Sequence, residues 1–138
     1  MMTVDELMTR KLVTLPEDAD LNRIDDLLKL HHIRHLPIVR DGKLVGLVTH
    51  RDLLRAQAHK SPGHSVTASE VMTREVETLS PDTSVRHAIH RLVDGKFGCM
   101  PVVDAQGALV GILTETDLAR LAGRLLTERE NAASNKSP

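Results

Sequence analysis

The stretch "GKLVGLVTHRDL" (residues 42–53) returns 65 positions later as "GALVGILTETDL" (107–118), identical at seven of twelve positions. The shared residues are Gly42/Gly107, Leu44/Leu109, Val45/Val110, Gly46/Gly111, Thr49/Thr114, Asp52/Asp117 and Leu53/Leu118. A glycine followed by a β-rich apolar run predicts a strand leaving a turn. A threonine and an aspartate three residues apart, where that run stops, predict a helix N-terminus. A turn, strand and helix in fixed order therefore occur twice. Two polar groups are kept in both copies, where apolar patterning alone does not require them.

The repetition extends outward in both directions. "ELMTRKLVTLPED" (6–18) aligns with "EVMTREVETLSPD" (70–82) at an offset of 64, and "RHLPIVRDG" (34–42) with "GCMPVVDAQG" (98–107), one residue longer. The reading is a repeat over 3–58, a linker over 59–66 and a second repeat over 67–123. Pro62 and Gly63 break structure in the linker. Residues 124–138 read as a helix end and a polar, disordered tail. Within each repeat Thr3 or Ser69 is a candidate N-cap of a short helix. A brief strand "LVTL" or "VETL" follows. Leu21, Ile24, Leu27 and Leu28 then recur at helical spacing, as do Val85, Ala88, Ile89, Leu92 and Val93. Two strands come next, the first pair joined by the hairpin signal Asp41-Gly42. A last helix runs to about Ala58 or Leu126. The fold class is α/β (α+β), with the order α-β-α-β-β-α twice and the small sheets packed together.

Composition narrows the function classes. At 138 residues a chain buries roughly 68% of its unfolded surface, enough to fold without staples. Phe97 is the only aromatic residue and the formal net charge is −1. That combination offers neither a stacking platform nor the clustered basic face of a nucleic-acid binder. Cys99 is the only cysteine, which excludes an internal disulfide and suits a reducing compartment. Without a signal peptide or an apolar run of membrane-spanning length, the expectation is a cytoplasmic protein with no membrane partner.

The doubled hydrophobic-Pro-hydrophobic strand (Pro37, Pro101) and the doubled Gly-x-x-Thr-x-x-Asp, in the same order, resemble the cystathionine-β-synthase (CBS) domain. The tandem resembles a Bateman module over about residues 3–123. The resemblance implies a non-catalytic regulatory or sensor module that binds adenosine nucleotides (AMP, ADP, ATP or a related adenosyl ligand) between the repeats. It also implies a homodimer associating through helices, with "NRIDDLLKLHH" and "VRHAIHRLVDG" as candidate contacts, and a separate effector protein. By resemblance, one cleft combines Thr14, Ala19, Ile33 and Arg34 with Ile112, Thr114 and Asp117. The other combines Thr78, Phe97 and Gly98 with Leu47, Thr49, His50, Arg51 and Asp52.

The Thr-x-x-Asp pairs admit two readings. A carboxylate can accept two hydrogen bonds from a ribose diol, and charge-assisted bonds are the strong ones. Equally, Thr49 and Thr114 are good N-caps with Asp52 and Asp117 three residues on, as in a capping box. The clefts are expected to be unequal. His50, Arg51 and Lys96 favour highly charged nucleotides beside Asp52, whereas Glu115 opposes phosphate beside Asp117, offset by Arg34 and His35.

Eight histidines invite other readings. His31 and His35 are four apart, but Pro37 and the β-rich run put His35 at a strand start, which breaks a helical metal geometry. No metal site is assigned. His87 and His90 suit a surface or dimer contact, and several histidines near an interface predict assembly sensitive to pH between roughly 5.5 and 7. Cys99 reads as a small buried apolar residue. No nucleophile has a placed base and no phosphate-cradling glycine loop occurs, so no catalytic residue and no cofactor are assigned. The alternatives are a metal- or redox-responsive protein using the histidines and Cys99, and a purely structural dimerisation subunit.

Overall fold

The computed structural model describes residues 1–59 and 63–135; Pro62 of the expected linker lies outside them. The first repeat contains α1 (Val4–Leu7), α2 (Leu21–His31), β1 (His35–Arg40), β2 (Lys43–Thr49) and α3 (His50–Ala58). The second contains α4 (Ala68–Val71), α5 (Val85–Gly95), β3 (Cys99–Val103), β4 (Leu109–Thr114) and α6 (Glu115–Asn135).

The helices start and stop where local chemistry dictates. Asp20 caps α2 by accepting the Arg23 N–H at 2.9 Å, and Ser84 caps α5 by accepting the His87 N–H at 3.1 Å. Both end on a left-handed residue, His32 (φ 52°) and Lys96 (φ 55°). The following N–H turns back to a carbonyl five residues earlier, Ile33 to Leu28 and Phe97 to Leu92, satisfying groups a helix end would otherwise orphan. The apolar stripe of α2 is buried at Leu21, Ile24, Leu27 and Leu28. On α5, Val85, Ala88 and Leu92 are buried, but Ile89 and Val93 face solvent.

Each repeat has a two-stranded antiparallel hairpin, β1 with β2 and β3 with β4. Pro37 stands opposite Leu47 and Pro101 opposite Ile112, and both hairpins slip register one residue later. Asp41 (φ 52°) and Gly42 (φ 77°) make the first turn with two positive dihedrals, the geometry that matches strand twist. The longer second turn is organised by Asp104, whose carboxylate accepts from the Gln106 and Ala108 N–H groups at 2.9 Å each. The brief strand expected before each long helix shrinks to one bridging residue, Leu15 to Ile38 and Leu79 to Val102, both parallel. The Leu15 N–H donates to the Pro37 carbonyl at 3.2 Å, and Leu79 does the same to Pro101 at 2.9 Å. A proline serves here because only its carbonyl is needed.

The two repeats exchange their first helices. Val4 and Met8 are buried in the core of the second repeat, with Leu79, Ala88, Leu92, Met100, Val102 and Leu113. Ala68 and Met72 are buried in the core of the first, with Ile24, Leu28, Leu36, Ile38, Val48 and Leu53. The connection is backbone as well as side chain. Thr9 and Ile112 exchange N–H···O bonds at 2.9 and 3.0 Å, and Thr73 and Leu47 do so at 2.9 and 3.0 Å. Burying one such apolar side chain contributes about 1.5–3 kcal/mol, so each repeat depends on the other for part of its core. The repeated glycine of the opening stretch follows from this. A Cβ on Gly46 would lie 2.4 Å from the Met72 sulfur, and one on Gly111 would lie 2.4 Å from the Met8 sulfur.

Two terminal details differ from the sequence reading. The cap of α4 is Thr67 rather than Ser69, because Glu70 reaches back to the Thr67 N–H at 3.3 Å as Glu6 does to Thr3 at 2.6 Å. Within 124–138, read as a helix end and a disordered tail, α6 continues to Asn135. Its residues there are exposed, so good local formers such as Glu130, Ala132 and Ala133 rather than packing carry the extension.

Candidate functional site

Two clefts open where the repeats meet. The first, of about 510 Å³, is walled by residues 9–13 and 31–35 of the first repeat and by Gly98, Ile112 and the 114–117 junction of the second. The second, of about 1130 Å³, is walled by Lys29, residues 32–35, Leu47, Thr49, His50 and Arg51 of the first repeat. From the second repeat it takes residues 73–77 and 96–99 and Glu115. His32, Ile33, Arg34, His35, Gly98 and Glu115 line both, so the two clefts share a wall.

Each cleft contains a strand-to-helix junction. Thr49 ends β2 and Asp52 sits in the first turn of α3. The Asp52 carboxylate accepts the Thr49 N–H at 2.9 Å, and the Thr49 hydroxyl accepts the Asp52 N–H at 3.1 Å. At the second junction the Asp117 carboxylate accepts the Thr114 N–H at 2.9 Å and the Thr114 hydroxyl at 3.1 Å. Both pairs therefore cap helices. Beyond that they diverge. Asp117 is 4% exposed and its other oxygen accepts the Thr9 hydroxyl at 2.8 Å. Asp52 is only half-buried, and among the described residues no group other than Thr49 donates to it. Thr73, which aligns with Thr9, is exposed.

Of the residues expected in the first cleft, Ile33, Arg34, Ile112, Thr114 and Asp117 line it; Thr14 and Ala19 do not. Ala19 packs on the first core and its carbonyl accepts the Ala68 N–H at 2.7 Å. In the second cleft Phe97, Gly98, Leu47, Thr49, His50 and Arg51 form wall, whereas Thr78 and Asp52 stand outside it. The Thr78 carbonyl is taken by Arg91 at 2.9 Å, and the Asp52 carboxylate is turned to the helix cap.

Both clefts carry charges beyond those expected from the sequence. The first cleft has Lys11, Arg34 and Arg120 against Glu115 and Asp117. The second has Lys29, Arg34, Arg51 and Lys96 against Asp25, Glu75, Glu77 and Glu115. Lys29 is paired with Asp25 at 2.9 Å and Glu77 with Arg91 at 2.6 Å. With those pairs set aside, Arg34, Arg51 and Lys96 face Glu75 and Glu115 in the second cleft, the same balance of cations over carboxylates as in the first. The repeat alignment carried the signal for the added carboxylates, since Glu75 and Glu77 stand where the first repeat has Lys11 and Val13.

His35 begins β1 and lies over Gly98, where an added Cβ would be 2.8 Å from its Nε2. That approach explains why the second repeat has no counterpart to Arg34. Burial holds the His35 imidazole below its ordinary pKa, with Glu115 opposing and Arg34 reinforcing the shift. Burial, aided by Glu115, pushes the Cys99 thiol up to about 12, so at neutral pH it is a protonated, unreactive group. Among the described residues no three His, Cys, Asp or Glu side chains converge on a point that could hold a metal ion. No helix of the described residues is long and apolar enough to cross a membrane.

The comparisons agree with this architecture. A candidate acetoin utilization protein of Vibrio cholerae superimposes with a TM-score of 0.86 at 36% identity, covering 100% of this chain and 99% of that one. A CBS domain pair solved with 5′-methylthioadenosine and S-adenosyl-L-methionine gives 0.80 at 33% identity, covering 89% and 97%. CBSX2 of Arabidopsis thaliana, solved with AMP, gives 0.81 at 29% identity, covering 91% and 98%. Curated relatives at 32 and 34% identity, enzymes by name, are much longer: the chain spans about a quarter of their length, 25 and 23%. The CBS domain matches twice, over residues 4–59 and 68–124, and the chain belongs to the CBS domain family.

Proposed function

We propose that this chain is a non-catalytic regulatory module that binds adenosine nucleotides or a related adenosyl ligand in its two clefts. The observation that carries the reading is the duplicated strand-to-helix junction. Thr49 and Thr114 each line a cleft that Arg34 also lines, placing a hydroxyl, a helix N-terminus and a cation in one wall. Related CBS pairs solved with AMP, 5′-methylthioadenosine or S-adenosyl-L-methionine support the adenosyl part. Backbone groups beside Pro37 and Pro101 suit recognition of an adenine edge. With Lys29 and Glu77 already paired, cations outnumber carboxylates by one in each cleft, which suits a phosphorylated ligand in both.

The module passes its signal by assembly. Leu30 (70% exposed) and Val93 (67% exposed) lie on the helices expected to meet a second copy, and a ligand shifts an equilibrium only if it prefers one state. A separate effector protein receives the output in the cytoplasm.

A nucleotide panel tests the reading by thermal unfolding, with AMP, ADP, ATP, S-adenosylmethionine and the guanosine analogues. An adenosyl ligand at a hundred times its dissociation constant is expected to add about 2.7 kcal/mol of stability. Flat melting curves across the panel would instead favour the purely structural dimerisation subunit, since both Thr-x-x-Asp pairs already cap helices.

A further inference from the structure

The two aspartates occupy equivalent positions in sequence but not equivalent states of hydrogen bonding. Asp117 accepts from three protein donors: the Thr114 N–H at 2.9 Å, the Thr114 hydroxyl at 3.1 Å and the Thr9 hydroxyl at 2.8 Å. A carboxylate offers about four acceptor positions, so one remains. Asp52 accepts from the Thr49 N–H alone among the described residues. The difference lies in a residue that arrives from the other repeat. Thr9 follows the exchanged helix α1, and its backbone is clamped to Ile112 by two hydrogen bonds at 2.9 and 3.0 Å. Thr73 is held to Leu47 by the same pair of bonds, yet its side chain is exposed and donates nothing to Asp52.

We infer that Thr9 sets the affinity of the first cleft by competing with a ligand's ribose hydroxyls for Asp117. This rests on the nucleotide reading and deepens it. Both Thr9 and Asp117 line the first cleft, so the oxygen that Thr9 occupies is the one a sugar diol entering from that side would need. One acceptor position is left on the carboxylate, so a vicinal diol can make both of its charge-assisted bonds only when the threonine hydroxyl gives its own up. The second cleft has no equivalent competition, because Asp52 stands outside its wall and Thr73 donates nothing to it. Thr9 is thus a specificity-determining group, since a ligand without a vicinal diol does not have to displace it. The clefts then fill in sequence despite their common ancestry as repeats.

The test is calorimetric titration of AMP into the wild type, Thr9→Val, Thr9→Ser and Asp117→Asn. Thr9→Val keeps the shape and removes the donor. It is expected to tighten one binding step by about tenfold, the scale of one hydrogen bond to a charged group. Thr9→Ser restores the donor and should behave as the wild type. Adding Asp117→Asn to Thr9→Val should abolish the gain. If Thr9→Val leaves both steps unchanged, or weakens one, Thr9 merely holds Asp117 in place and the inference is overturned. Should Thr9→Val fail to fold, Thr9→Ala removes the same hydroxyl, and the same two outcomes decide. Absence of AMP binding in every protein, wild type included, overturns the nucleotide reading and this inference together.

Discussion

The junctions at Thr49 and Thr114 share a Thr-x-x-Asp helix cap but not its surroundings: Asp117 is 4% exposed and bonded to Thr9, while Asp52 is half-buried and receives nothing from Thr73. Their walls differ in the same sense. Lys11 and Arg120 face the first cleft, whereas Glu75 and Glu77 face the second. A duplicated motif therefore specifies a duplicated backbone, and the side chains that arrive from the other repeat decide what each copy can do.

The largest effects should come from the exchanged helices. Met8→Ala and Met72→Ala each remove a buried side chain, 7 and 8% exposed, and should cost about 2–5 kcal/mol. Denaturant unfolding followed by probes in each repeat checks whether the loss is shared. A transition split between repeats after Met8→Ala would break the view that each core depends on the other. Next in size are the glycines. Gly46→Ala and Gly111→Ala should each cost about 1–3 kcal/mol through overpacking. Gly46 should be the worse site, since its added Cβ has the Thr73 backbone oxygen at 3.1 Å among its three nearest atoms, whereas all three at Gly111 belong to the flexible Met8 side chain. Equal chemical-denaturation midpoints for the two variants would count against that ranking.

Arg34 sharpens the comparison from the shared wall. Because it lines both clefts, Arg34→Ala should weaken AMP at both steps by about tenfold. Uncharged adenosine should be affected far less. A loss confined to one step would assign the guanidinium to one cleft. The smallest effect is the pH dependence of His35. Its folded pKa lies below the ordinary 6.5, so the unfolded chain binds the proton more readily. The contribution of His35 to stability is complete above 6.5 and declines as pH falls from 6.5 through the lowered folded value. Urea midpoints across that window should fall less in His35→Gln than in the wild type.

Much of this was legible in the sequence. The two repeats, their long helices, the hairpin turn at Asp41-Gly42 and the helix starts at Thr49 and Thr114 all follow from local periodicity and capping chemistry. These depend on residues within a few positions of one another. Five of the seven residues expected in the first cleft line it, because they sit at junctions that such local rules place. Thr14 and Ala19 do not line it, and Ala19 packs instead on the core that α2 and α4 complete, a contact that no local rule gives.

The linear order of residues by itself determined the repeat, its elements and the two polar junctions, since each arises from short-range hydrogen bonding and hydrophobic period. Only the tertiary structure decided that α1 and α4 change places. It alone brought Thr9 to Asp117 across 108 positions and set Glu75 and Glu77 in the same cleft as Arg51 and Lys96. Those contacts join groups remote in the chain, and no local rule reports which of two near-identical cores will bury a given helix.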